Sequence, residues 1–349
     1  MKLYTQINHY DPAWRKELFP LLKPYIGKPQ TYTSKECVAQ YGFELHTFQL
    51  VPEEDENATW VLPMSWNYYR LTGQLKLAGD FIEKAARQSI TVISFTSGDF
   101  GVKVPQYSNI LVYRQSGNKS RLPHYHRGLP VFIEDPLQKY FHLDTPVLRD
   151  YTKIPAIGFC GQTNSSVTNA IKEIGRVGWR NLRHYLRKNF DEPQQLLSSS
   201  YIRAAVLGEV KKSTFLKANF IERKKYRAGA VDEKSKAETT MEFYRNMMDS
   251  DYIICVRGGG NFSVRFYETL AMARIPVFVN TDCLLPLEDK VDWKKHLVWI
   301  ESNSIKSVEE HITDFHNSHT PASFKALQMA NRRLWEDKLR SGTFFQASL

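Results

Sequence analysis

The sequence predicts an α/β protein of two domains, and three observations support this. Short apolar runs of strand length alternate with segments of helical periodicity along both halves of the chain, as in parallel sheets. A chain of 349 residues with 42% hydrophobic content can form two sizeable cores. Between the halves, residues 135–155 contain Pro136, Pro146 and Pro155, which discourage a continuous helix. We place the domain boundary near Asp150.

The individual elements follow from apolar and β-branched runs for strands, and from three- to four-residue periodicity for helices. In the first half, strands are predicted at residues 2–7, 43–51, 59–64, 90–95, 109–113 and 130–133, and helices at residues 12–25 and 74–88. In the second half, strands are predicted at residues 156–160, 201–207, 251–256 and 275–279, and helices at residues 178–187, 237–249, 264–272 and 323–339. This order gives each half its own parallel sheet.

The segment 251–279 predicts a site for a phosphate group. A buried strand leads into Arg257 and three glycines beginning with Gly258, and a helix follows with Asn261 or Ser263 as its N-cap. The free N–H groups and the dipole of such a helix attract an anion. Within the helix, Arg265 and Glu268 lie three residues apart and therefore share a face. They fit phosphate and ribose hydroxyls respectively, or else form an ordinary ion pair on a solvated face.

Six sequence elements carry a resemblance to a known family. They are Arg257-Gly258, Ser263, Arg265-Phe266-Tyr267-Glu268, Ile275-Pro276-Val277, Leu285-Pro286-Leu287 and Asp292-Trp293. In this order they resemble the signature of the exostosin-like glycosyltransferases, glycosyltransferase family 47. The resemblance implies the GT-B architecture, in which two Rossmann-like domains face each other across a cleft and the last helix returns to the first domain.

On this resemblance, residues 1–150 form the acceptor-side domain, residues 151–322 bind the nucleotide sugar, and residues 323–349 form the returning helix and tail. The family usually carries glycine where this chain has Ala273, at the end of the helix. A left-handed backbone would cost alanine roughly 1 kcal/mol, so we expect this helix to close differently. The resemblance also implies a donor contact at Gly161, with Arg180 or Arg183 beyond it.

The candidate general base is Asp99, because residues 94–101 resemble a family segment that carries an aspartate at this position. A base is expected across the cleft from the donor, where strands of the first sheet end. The alternative is an aspartate that holds its own turn, since Ser-Gly-Asp suits a turn. His124 and His126 could ligate a metal, contact the acceptor or be ordinary loop residues. No third ligand is spaced to join them, so we expect no metal ion and no cofactor.

Composition limits the partners. The net charge of +10 suggests an anionic partner, and the basic run 211–227 suits nucleic acid, a membrane surface, an anionic glycan or simply a solvated helix face. No nucleic-acid-binding motif is present, so we expect no nucleic acid.

The four cysteines are spaced as reduced core thiols. Without a membrane-spanning run or a signal peptide, a soluble, cytoplasmic bacterial or viral member is expected, with peripheral membrane contact through its basic surface.

Taken with the resemblance, the sequence predicts a metal-independent glycosyltransferase, and the resemblance implies that transfer proceeds with inversion. Its donor is a nucleotide diphosphate sugar, with UDP favoured by family habit, and its acceptor is a glycan or glycolipid hydroxyl. Arg257, Ser263, Arg265 and the helix N-terminus would stabilise the departing diphosphate. The alternative is a protein without catalytic activity that binds glycan or nucleic acid.

Overall fold

The computed structural model describes residues 1–27, 33–224, 229 and 232–349, and it contains two parallel sheets. The first sheet has six strands in the order β2-β1-β3-β4-β5-β6. These strands are β1 Lys2–Tyr4, β2 Gln49–Val51, β3 Thr59–Val61, β4 Val92–Phe95, β5 Ile110–Arg114 and β6 His126–Gly128. Every residue of β4 is buried, as expected for a central strand covered on both faces.

The second sheet has five parallel strands in the order β11-β10-β9-β7-β8. They are β7 Ala156–Gln162, β8 Lys217–Arg223, β9 Tyr252–Cys255, β10 Ile275–Asn280 and β11 Val298–Glu301. The core strand β9 is wholly buried and pairs with both β7 and β10. This sheet therefore forms the framework of the predicted phosphate site.

Helices cover both sheets. The α-helices are α1 Ser34–Tyr41, α2 Trp66–Leu71, α3 Leu75–Arg87, α4 Val167–Tyr185, α5 Ser199–Lys212, α6 Glu233–Met248, α7 Val264–Ala271, α8 Val308–Asn317, α9 Pro321–Lys338 and α10 Ser341–Ser348. Shorter 3-10 turns and the π-helical turn Leu137–Phe141 connect them. In the described part of the chain, no helix combines the length and the apolar character needed to cross a bilayer.

The end of the chain returns to the first sheet through α10. The ring of Phe345 lies 5.2 Å from that of Phe19 and 5.5 Å from that of Tyr113, and Phe344 also packs edge-on against Tyr113. One continuous buried cluster thus includes the first sheet, α10 and one face of the second sheet. Two parallel α/β units with a returning terminal helix make up the GT-B architecture that the resemblance implied.

One buried and one half-buried ion pair hold the connecting segment 135–155 in place. Arg332 of α9 donates to both oxygens of Asp135 and also to the carbonyl of Ala271, 2.6 Å away. Arg149 donates to Asp251, whose other oxygen accepts from the backbone N–H of Ala156. Because burying an unpaired charge is costly, these pairs fix how the connecting segment lies against the second sheet.

Three predicted elements are wrong. Residues 12–25 form two 3-10 turns, Pro12–Glu17 and Pro20–Leu22, since Pro20 lacks the N–H that a continuous α-helix requires. Residues 130–133 are not a strand, and β6 ends before Pro130. Residues 201–207 belong to α5, because Ser198 caps the helix by accepting a hydrogen bond from the N–H of Tyr201.

The expectations for Ala273 and for the basic run are also corrected. Ala273 adopts a left-handed φ of 53°, so α7 does end in the backbone conformation that favours glycine. Within the basic run, residues 217–223 form the edge strand β8 rather than a solvated helix face, and residues 225–227 lie outside the described residues. Cations of this run form ion pairs with nearby glutamates: Lys211 with Glu222, Lys212 with Glu209, and Arg223 with Glu242.

Candidate active site

A cleft of about 830 Å³ lies where the two domains meet. Its lining comes mainly from the last residues of β7, from α6, from the loop after β9 and from the start of α7. Asp99 and Tyr140 are the lining residues contributed by the first 150 residues. The cleft brings together the predicted site residues Asp99, Gly161, Arg257, Gly258, Ser263, Arg265 and Glu268. Arg180 is not among the lining residues, because its guanidinium stacks on the ring of Phe100, 3.9 Å from the ring centre.

The glycine loop and α7 form one side of the cleft. The backbone N–H of Gly258 donates to the carbonyl of Phe262, 2.9 Å away, which closes the loop. Ser263 occupies the N-cap position with extended backbone dihedrals, but its side chain makes no capping hydrogen bond. The N-terminus of α7 therefore faces the cleft without a side-chain cap, as an anion-binding helix end requires.

Arg257 is a buried cation held only by neutral groups. Its side chain is 4% exposed and donates to the side-chain oxygen of Gln195 at 3.2 Å and to the carbonyl of Gly259 at 3.5 Å. No ion pair of Arg257 with a carboxylate is found in the described ranges. Burial lowers the pKa of this guanidinium, because a charge removed from water is destabilised.

Arg265 and Arg203 lie together beside Arg257. Arg265 donates to the carbonyls of Cys160 and Ile254, at 2.8 and 3.3 Å, and its guanidinium stacks on Phe159. Arg203 donates to the carbonyls of Gln162 and Arg257. Burial, with a contribution from the nearby Arg265 charge, lowers the pKa of Arg203 to about 10. Three guanidinium groups thus lie together at the cleft. Because their partners are neutral, their positive charge remains there.

Glu268 is oriented by an aromatic neighbour. The hydroxyl of Tyr244 donates to its Oε1 at 3.0 Å, and Tyr140 stacks on Tyr244 with ring centres 4.7 Å apart. Burial first, and the Glu268 carboxylate second, raise the pKa of Tyr244, so this hydroxyl remains a donor. Because the guanidinium of Arg265 reaches the backbone of β7 and β9 instead, the structure separates the functions of the two residues.

Asp99 lies on an exposed turn opposite the glycine loop. Its Oδ2 is 2.9 Å, and its carbonyl oxygen 2.2 Å, from the positions that a Cβ would take at Gly259 and Gly260 respectively. Only glycine allows the two loops to approach this closely. No hydrogen bond or ion pair of the Asp99 side chain occurs within the described part of the protein, so it does not hold its own turn.

The segment after α4 supports both the Asp99 turn and the glycine loop, and sequence reasoning missed it. The N–H of Glu192 donates to the carbonyl of Gly101 at 3.1 Å, and its carboxylate pairs with the fully buried Arg114. Ser199 donates to the carbonyl of Gly258 at 2.7 Å. These contacts join residues far apart in sequence, so no local pattern could have revealed them.

Asn261 connects the glycine loop to the first domain. Its side-chain amide donates to the carbonyls of Gly117, Thr281 and Asp282, each at 2.9 Å, and its backbone N–H donates to Ser116. The residue is fully buried. From the sequence, Asn261 was predicted only as a possible N-cap of α7. In the structure it joins the two domains beside the cleft.

The histidine pair lies outside the cleft. His124 is exposed, whereas His126 is buried in β6, where burial and the charges of Arg114 and Arg127 lower its pKa to about 3. Among the residues that the structure describes, no three His, Cys, Asp or Glu side chains are grouped as metal ligands would be. The four cysteines are buried free thiols, as expected.

The two parallel sheets and the returning terminal helix give the chain the topology of the GT-B class. The family profile described as the Exostosin GT47 domain matches residues 178–314. Exostosin-1 of Drosophila melanogaster is 28% identical over 105 residues, which are 30% of this chain but only 13% of that protein. Over this matched segment the chain is similar to the exostosin-like glycosyltransferases.

Two solved glycosyltransferase structures are similar at low sequence identity. The crystal structure of TarM is 8% identical and covers 85% of this chain and 55% of its own, with a TM-score of 0.36. The spinosyn rhamnosyltransferase SpnG, complexed with thymidine diphosphate, is 9% identical and covers 99% of both chains, with a TM-score of 0.35. Because both TM-scores are low, the fold assignment depends on the topology of the chain itself.

Proposed function

We propose that this chain transfers a sugar from a nucleoside diphosphate donor, with UDP favoured, to a hydroxyl of a glycan or glycolipid, with inversion at the anomeric carbon. The observation that carries the proposal is the convergence of Arg203, Arg257 and Arg265 on one cleft without a carboxylate partner for any of them in the described ranges. Arg257 is buried and the other two are half-buried. Keeping such cations against neutral groups is costly, and a diphosphate would pair with them.

The donor would bind with its diphosphate between these guanidinium groups and the N-terminus of α7. As the bond between the anomeric carbon and the phosphate oxygen breaks, its electron pair leaves with the nucleoside diphosphate. Arg257 and Arg265 stabilise the negative charge that grows there, so this chemistry needs no protein-held metal ion. Glu268, already oriented by Tyr244, would accept hydrogen bonds from the ribose hydroxyls.

The acceptor would approach from the first domain. A second cavity of about 450 Å³ lies beside the Asp99 turn and is lined by Ser97, Gly98, Lys23 and aromatic residues such as Phe132. An acceptor hydroxyl reaching from this cavity would give its proton to the Asp99 carboxylate while its oxygen bonds to the anomeric carbon. Attack on the face opposite the diphosphate would turn an α-linked donor into a β-glycoside.

Nucleotide binding is the first test. A thermal-shift panel of UDP, GDP, TDP and their sugar conjugates should show a raised melting temperature for one base series, little affected by salt. Binding that instead prefers nucleic acid and falls steeply with ionic strength would support the non-catalytic alternative and contradict the proposal. With the donor identified, transfer to a panel of oligosaccharides should proceed unchanged in EDTA.

Asp99→Asn tests the general base. This variant should bind the nucleotide as tightly as the wild type but lose sugar transfer, because an amide cannot accept the hydroxyl proton. Asp80→Asn, an exposed carboxylate on α3 outside the cleft, is the matched control and should keep full activity. Near-normal transfer by Asp99→Asn would show that another group accepts the proton.

A further inference from the structure

The helix α4 exposes an apolar side that the proposed chemistry does not use. Apolar residues recur along it every three or four positions, as on one side of a helix. Ala170 is the one buried residue of this helix. The apolar side consists of Val167, Ile171, Trp179, Leu182 and Tyr185, which are between 46% and 72% exposed. Exposed apolar residues are normal singly, but five on one helix suggest a contact surface.

Cations lie beside this apolar side. Lys172, Arg176 and Arg183 are exposed and lie four and seven positions apart, so they form a neighbouring row on the same helix. None of the three forms an ion pair within the described part of the chain. The one acidic residue of α4, Glu173, accepts hydrogen bonds from Ser198 and Ser200 and is thus directed towards the start of α5.

We propose that α4 docks on an anionic lipid surface, with its apolar side inserted among the lipid headgroups. Trp179 and Tyr185 are the aromatic types that prefer the boundary between lipid and water, and a row of lysine and arginine beside an apolar side is typical of interfacial helices. A second copy of this chain fits less well, because a symmetric contact would bring two equal rows of cations together.

The position of α4 relates this surface to the cleft. The helix begins shortly after β7, whose last residues Gly161 and Gln162 line the cleft. Towards its other end, Arg180 stacks on Phe100, the residue after Asp99. A chain resting on α4 would therefore hold the mouth of its cleft beside the lipid surface, within reach of an amphiphilic acceptor.

Vesicle co-sedimentation of the full chain tests the proposal. Vesicles in which a third of the lipid is phosphatidylserine should bind the protein, whereas pure phosphatidylcholine vesicles should bind it at least 10-fold more weakly. Trp179→Glu should lower binding to the anionic vesicles at least 10-fold. Phe215→Glu is the matched control, since Phe215 is equally exposed at 62% but lies outside α4, and it should bind as the wild type does.

The cationic row has its own test. Lys172→Glu combined with Arg176→Glu should weaken binding to anionic vesicles by roughly 20-fold or more, at about fivefold per cation, with unchanged melting temperature. Equal binding of wild type and Trp179→Glu, or no preference for anionic lipid, would overturn the proposal. So would a dimer in sedimentation velocity that Trp179→Glu dissociates, because the occupant of the surface would then be a second copy.

Discussion

Replacing Arg257 by methionine should change stability and ligand affinity in opposite directions. The guanidinium is 4% exposed, and its hydrogen bonds to Gln195 and Gly259 are long, at 3.2 and 3.5 Å. Removing a buried charge with such weak partners should leave the free energy of unfolding unchanged or raise it by up to about 2 kcal/mol. UDP binding should lose about 1.5 to 3 kcal/mol of charge-assisted hydrogen bonding, which is roughly a 10- to 150-fold weaker affinity.

Arg274→Met is the matched control. Arg274 is also a buried guanidinium, 1% exposed, but it donates to four backbone carbonyls and lies outside the cleft. Its loss leaves those carbonyls without a donor, so the free energy of unfolding should fall by about 3 kcal/mol while UDP affinity stays the same.

Urea denaturation and titration calorimetry with UDP measure the two effects. The reasoning about Arg257 is refuted if Arg257→Met is destabilised as much as Arg274→Met and binds UDP as the wild type does. That outcome would make Arg257 a structural residue of the glycine loop rather than a group kept for an anionic ligand.

Two further predictions concern the loops and the pH dependence. Gly260→Ala should slow sugar transfer about 100-fold, because a Cβ 2.2 Å from the Asp99 carbonyl would displace the loops by roughly 1 Å, whereas Gly208→Ala, with nothing within 4 Å, should transfer normally. From pH 7 to 5, buried His126 should lower the free energy of unfolding by roughly 2 kcal/mol, because its folded pKa of about 3 lies below the unfolded 6.5 and only the unfolded chain gains the proton. In urea denaturation, the free energy of unfolding of His126→Asn should not show this decrease between pH 7 and 5, whereas that of the exposed His124→Asn should. An undiminished decrease in His126→Asn would contradict the assignment.

Local patterns made the second half of the fold predictable. The strand, glycine loop, helix and strand between Asp251 and Asn280 are specified by neighbours in sequence, and the structure has them as β9, α7 and β10. The strand predicted at residues 201–207 was wrong, because it also rested on a local pattern alone. A short apolar run fits either a strand or a buried helix, and the cap at Ser198 decided in favour of α5.

The supports of the site were not predictable in this way. Gln195 orients Arg257, and Asn261 reaches the carbonyl of Gly117 across the domain interface. Each contact joins segments that only the tertiary fold brings together, and glutamine and asparagine are common surface residues with no distinctive spacing. Ala273 shows the converse, because tertiary packing imposes a left-handed backbone that its residue type disfavours.

The return of α10 to the first sheet determines when the first domain can be completed. Tyr113 on β5 donates to Ser348, 235 positions later, and the rings of Phe344 and Phe345 fill the space between them. During synthesis, the strands of the first sheet emerge long before the helix that closes their core. The core of the first domain is therefore completed only after the second domain has been made.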